Sequence, residues 1–78
     1  MENNYQTLSE ALKAKNNGLF LNSNGEYCNV NRYYINNTLK FQVIFNKNFT
    51  DIATRPAINS TSEKRILKLL NSENFKLV

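Results

Sequence analysis

The chain has 78 residues, a formal net charge of +4, one cysteine and no histidine. That length makes one domain, residues 1–78, with a modest core and no deep cavity; Cys28 cannot pair within the chain, and the lack of histidine excludes Cys/His zinc ligation. No apolar run approaches the ~20 residues needed to cross a bilayer, the polar Met1-Glu2-Asn3-Asn4-Tyr5 start does not read as a signal peptide, and an unpaired thiol suits a reducing, cytoplasmic compartment.

Thr7-Leu8-Ser9-Glu10 is a capping box, in which Thr7 accepts from the backbone three residues on and Glu10 reaches back. Leu8, Ala11 and Leu12 then share a helical face, and Asn16-Asn17-Gly18 supplies a left-handed stop, so a first helix is predicted over about residues 8–16. Asn24-Gly25 is the strongest short hairpin signal, because both positions tolerate positive φ. A two-residue turn there sets Leu21 opposite Cys28, Phe20 opposite Asn29 and Leu19 opposite Val30. A second two-residue turn at Asn36-Asn37 sets Tyr34 opposite Leu39, Arg32 opposite Phe41, Val30 opposite Val43 and Cys28 opposite Phe45.

Side chains alternate between the faces of a strand. These registers therefore gather Leu19, Leu21, Cys28, Val30, Tyr34, Leu39, Phe41, Val43 and Phe45 on one face, with Arg32 the misfit. Phe20, Asn22, Tyr27, Asn29, Asn31, Tyr33, Lys40, Gln42, Ile44 and Asn46 fall on the other. Residues 47–59 read as a loop anchored by Phe49, Ile52 and Ile58, turned by Arg55-Pro56. Ser60-Thr61-Ser62-Glu63 is a second capping box and opens a second helix over about residues 61–71, with Ile66, Leu67 and Leu70 inward, Leu69 at the margin and Lys64, Arg65 and Lys68 outward. Phe75-Lys76-Leu77-Val78 alternates like a short edge strand. The expected fold is α+β in two layers: a three-stranded antiparallel meander with both helices on its apolar face, in the order αβββα with a short C-terminal strand.

Acid–base chemistry near neutral pH draws on histidine or tuned carboxylates. Here the glutamates have capping or turn roles, the cysteine points into the expected core, and Gly18 and Gly25 leave no phosphate-cradling loop. The expectation is a protein without catalytic, metal or cofactor chemistry, one that binds.

Three features could carry that binding. Phe20, Tyr27, Asn31, Tyr33, Lys40 and Gln42 mix aromatic area with hydrogen-bonding groups on the open sheet face, and Phe20 beside Ile44 forms an exposed apolar pair. Lys64, Arg65 and Lys68 are either a solvated face or a contact to phosphates or an acidic surface. Arg32 either snorkels past the sheet edge or offers a guanidinium at the rim. The charge is uneven as well. Residues 31–78 carry eight basic side chains against Asp51, Glu63 and Glu73, a balance that favours an anionic partner.

Gly18-Leu19-Phe20-Leu21, Asn24-Gly25 and Arg32-Tyr33-Tyr34-Ile35-Asn36-Asn37 resemble the meander of arm-type DNA-binding domains of phage integrases, which implies a sheet face docked in the major groove. In size, topology and Asn/Lys/Ile-rich composition the whole chain is similar to small phage-encoded anti-CRISPR proteins. That resemblance implies an inhibitor, monomeric or homodimeric, that sterically blocks a larger nucleic-acid-processing protein or nucleoprotein complex of a host cell. The integrase-like reading implies direct DNA or RNA binding through the sheet face and the basic helix. Neither implies a membrane partner.

Overall fold

The computed structural model describes residues 4–47, 50 and 52–78. Two helices, α1 (Leu8–Ala11) and α2 (Glu63–Ser72), accompany five strands: β1 (Asn17–Leu21), β2 (Glu26–Ile35), β3 (Thr38–Lys47), β4 (Ala53–Ser60) and β5 (Lys76–Leu77). The strands form one antiparallel sheet in the order β4-β3-β2-β1-β5. Both helices join one buried cluster with Phe20, Cys28, Val30, Phe41, Val43, Phe45 and Phe75. The α+β class and the two-layer packing follow the sequence; the sheet has two strands more than the meander. Among the described residues no helix is long and apolar enough to cross a membrane.

The second hairpin matches its expected register, with Ile35 opposite Thr38 and Val30 opposite Val43. Asn36 and Asn37 both take positive φ, 50° and 65°, as a type I′ turn requires. The first hairpin is shifted by one residue. Gly25 N–H donates to the Asn22 carbonyl, and Asn22 N–H to that of Glu26. This is a three-residue loop, Ser23-Asn24-Gly25, with Gly25 at φ +80°. The buried Asn22 side chain holds it open by accepting from the N–H groups of Asn24 and Glu26, both at 3.0 Å.

The shift turns β1 over. Phe20, expected on the open face, is fully buried opposite Cys28, while Leu19, expected in the core, lies opposite Asn29 and is 38% exposed. Gly18 has a packing role in place of a turn role: a Cβ there would come 2.8 Å from a Leu12 methyl and 3.0 Å from a Leu77 methyl. Tyr34, also expected inside, is 70% exposed near the hairpin end.

Residues 53–60, expected as loop, form β4. Two register shifts opposite Val43–Asn46 add residues to β4 around Pro56. A bulged edge strand is where a residue without an N–H is tolerated. Ile58 packs against the core as expected, Ile52 is exposed, and Phe49 lies outside the described residues. The short C-terminal strand is present, with Leu77 opposite Phe20. One cross-strand row, Leu77–Phe20–Cys28–Phe45–Arg55, therefore spans all five strands.

Helix α1 ends well before residue 16. Lys13 N–H donates to the Glu10 carbonyl and Ala14 N–H to that of Ser9, with Lys13 and Ala14 at positive φ. This is a Schellman close made without glycine. It ends the helix at Leu12, whose side chain covers Gly18. Thr7 caps α1 as expected, accepting from Glu10 N–H at 3.0 Å. Helix α2 is capped by Ser62, which accepts from Arg65 N–H, and not by Ser60. Glu63 instead accepts from Leu8 N–H of α1 at 3.0 Å, satisfying an orphan donor of the neighbouring helix.

Two outcomes check this register and this turn. Phe20→Ala should cost about 3–5 kcal/mol and Leu19→Ala under about 1 kcal/mol by denaturant unfolding; comparable losses would contradict the shifted hairpin. Lys13→Gly should stabilise by about 0.5–1 kcal/mol in the same assay, because it relieves a left-handed side-chain residue.

Candidate functional site

The face opposite the helices is built from odd residues of β1 and β2 and even residues of β3. Its rows follow from strand pairing. Leu19, Asn29 and Ile44 form one row, and Val78 joins at its edge, where its N–H donates to the Leu19 carbonyl. The next row is Asn17, Asn31, Gln42 and Asn59, four amides across four strands. Beyond it Tyr33 faces Lys40, and Ile35 faces Thr38. Leu19, Ile35 and Ile44 are between 37% and 47% exposed, and Val78 is 70% exposed. Along β1–β4, Lys40 is the one charged side chain whose position falls on this face. At its Tyr33 end a groove of about 590 Å³ is lined by Tyr33, Ile35, Lys40, Asn59, Ser60 and Thr61.

The residues expected to bind a partner divide among three places. Asn31, Tyr33, Lys40, Gln42 and Ile44 share the open face, the first four half-buried and Ile44 exposed. Lys64, Arg65 and Lys68 are exposed on α2, in the layer across the sheet from that face, so one flat partner cannot touch both groups. Phe20 is core, and Leu19 takes its expected place beside Ile44. Tyr27 is on the open side by alternation yet only 6% exposed, so it offers little contact area. Arg32 is on the helical side, where its Nη2 donates to the Lys15 carbonyl at 2.9 Å and closes the turn after α1.

A second polar cluster lies outside every sequence motif. Arg55 on β4 makes paired contacts to Glu26 of β2, with Nε–Oε2 at 3.1 Å and Nη2–Oε1 at 2.7 Å, and to Glu73 just after α2, with Nη1–Oε2 at 3.1 Å and Nη2–Oε1 at 2.5 Å. Its guanidinium carbon sits 4.0 Å from the centre of the Phe45 ring, a cation–π geometry. Thr54 also donates to Glu26. Burial, the strongest single influence on Glu26, works to raise its pKa. The hydrogen bonds from Arg55 and Thr54 and the Arg55 charge together outweigh it and hold the carboxyl below its ordinary value. Hydrogen bonds to Glu73 in turn raise Arg55. The sequence held no local signal for this cluster, because its three elements are far apart in the chain.

Every described carboxylate side chain has a structural partner. Glu10 accepts from Gln6 N–H and Glu63 from Leu8 N–H, while Glu26 and Glu73 hold Arg55. Cys28 is buried, and burial with the nearby Glu26 charge pushes its thiol up to about 12, far from a reactive thiolate at neutral pH. Among the described residues no group of acidic or sulfur ligands could hold a metal ion. No family model, curated protein or solved structure matches the chain.

The Arg55 cluster gives a pH dependence with a defined sign. A carboxyl held below its unfolded value adds stability at neutral pH, and that increment is lost as pH falls through the folded value. Unfolding free energy should therefore drop below about pH 4, and Arg55→Met should cost about 1–3 kcal/mol at pH 7 while flattening this acid limb. An unchanged limb in Arg55→Met, read by denaturant melts across pH, would assign the acid sensitivity elsewhere.

Proposed function

We propose that this protein is a non-enzymatic binding module that docks its open sheet face on a larger protein or nucleoprotein complex and inhibits it by occlusion. The observation that carries this reading is the composition of that face. Exposed Leu19, Ile44, Ile35 and Val78 stand beside a four-amide row, with Lys40 the single charge along β1–β4 and Lys76 at the β5 edge. Apolar and amide side chains with little charge are what the buried centre of a protein interface requires. Carboxylates committed to caps and to Arg55, and a buried thiol, favour binding over catalysis. The inhibitor role extends the resemblance in size and topology to anti-CRISPR proteins, and its target on that reading is a nucleic-acid-processing complex of a host.

A second reading has its own support on the other layer. Lys13, Lys15, Lys64, Arg65 and Lys68 are all exposed there, and such a group suits phosphates. On this reading nucleic acid meets the helices, while the sheet face, poor in cations, does not dock in the major groove.

Paired variants separate the two. Ile44→Asp should abolish capture of a host nuclease or CRISPR component from lysate, while Lys64→Glu with Lys68→Glu should leave it intact. The reverse pattern, together with duplex binding that weakens steeply with salt, would move the function to the helical layer.

A further inference from the structure

We propose that the groove at the Tyr33 end of the open face receives a carboxylate side chain, aspartate or glutamate, from the docked protein. This rests on the docking reading above and specifies what the partner must present. The groove holds no acidic side chain. Its lining is Tyr33, Ile35, Lys40, Asn59, Ser60 and Thr61; an ammonium, a phenol, an amide and the Thr61 hydroxyl are its side-chain donors, while Ser60, opposite buried Phe41, has its side chain on the helical side.

Lys40 is half-buried, and the ion pairs among the described residues both belong to Arg55. An ammonium without a counter-charge gains a charge-assisted hydrogen bond from an incoming anion. The number of charges selects the kind of anion. A nucleic-acid strand brings a phosphate about every 3.4 Å and is met by several cations along its path. The groove offers one, Lys40, and the other lysine whose position falls on this face, Lys76 opposite Leu21, stands at the far edge. A single carboxylate matches a single lysine, and the exposed Ile35 beside it, with Ile44 along the same face, supplies apolar contact for the residues that flank an acidic side chain.

The test is an NMR titration of the isotope-labelled full chain. The probes are a capped peptide of alternating glutamate and leucine, the same peptide with glutamine replacing glutamate, and a single-stranded oligothymidylate. The glutamate peptide should shift the amides of Tyr33, Lys40, Asn59, Ser60 and Thr61, with affinity about tenfold above that of the glutamine peptide, as loss of one charge-assisted contact implies. Lys40→Gln, which removes the charge and keeps a hydrogen-bonding group, should erase that preference without altering the rest of the spectrum. Equal binding of the two peptides, no shift at the groove, or groove shifts with the oligothymidylate would overturn the proposal. Capture of the partner separates this failure from that of the docking reading. If Ile44→Asp abolishes capture and Lys40→Gln does not, the carboxylate assignment falls alone; if both variants capture normally, the docking reading falls with it.

Discussion

The row Leu77–Phe20–Cys28–Phe45–Arg55 crosses all five strands, and its register decides which side of each strand meets the helices. Four of its members close the apolar layer beneath α1 and α2. Phe20 touches Tyr5 edge to face at 6.1 Å, and Phe45 tilts against Phe75 at 6.4 Å, arrangements that add to simple burial. The fifth member, Arg55, ends the row by laying its guanidinium on Phe45 and joining carboxylates from β2 and from the end of α2. Once this row is set, alternation fixes the opposite face as well. Leu19 and Ile44 reach the surface because Phe20 and Phe45 do not.

Arg55 also shows why a charged residue serves at this position. Its side chain is 34% exposed, and those of Glu26 and Glu73 are 17% and 35% exposed. The three groups lie between water and core, where desolvation is moderate and paired, directional bonds still define geometry. The outcome is less a gain in free energy than a fixed position for a bulged strand with few other tethers. Pro56 leaves β4 without one backbone donor, and Arg55 ties that strand across two neighbours.

Much of this was legible in the sequence, and the boundary of legibility is physical. The Asn36-Asn37 turn and the alternation of β2 and β3 were readable because both are local patterns, and they place Asn31, Tyr33, Lys40, Gln42 and Ile44 correctly. The first hairpin was misread by one residue because Asn24-Gly25 serves equally in a two-residue and a three-residue loop. The deciding contacts come from the Asn22 side chain. Phe20 alone, bulkier than either adjacent leucine, hinted at the true inward position. Strand β4 was hidden by Pro56, since a proline argues against a strand unless the strand is known to be a bulged edge. The Arg55 cluster, the Lys15 carbonyl that binds Arg32, and the service of Glu63 to α1 depend on long-range approach, which no spacing rule encodes.

The Asn71 side chain both accepts from Tyr5 N–H at 2.9 Å and donates to the Tyr5 carbonyl at 3.0 Å, and the Tyr5 hydroxyl accepts from Leu77 N–H at 3.2 Å. These bonds join parts of the chain 66 and 72 residues apart. Closing such long loops is entropically slow, whereas the β2–β3 hairpin closes over a two-residue turn. Chain topology favours a folding order in which the central hairpin assembles first and the Tyr5 contacts with Asn71 and Leu77 form last. Through Tyr5 the residues before α1 are bonded both to the end of α2 and to β5, the edge strand beside Leu19.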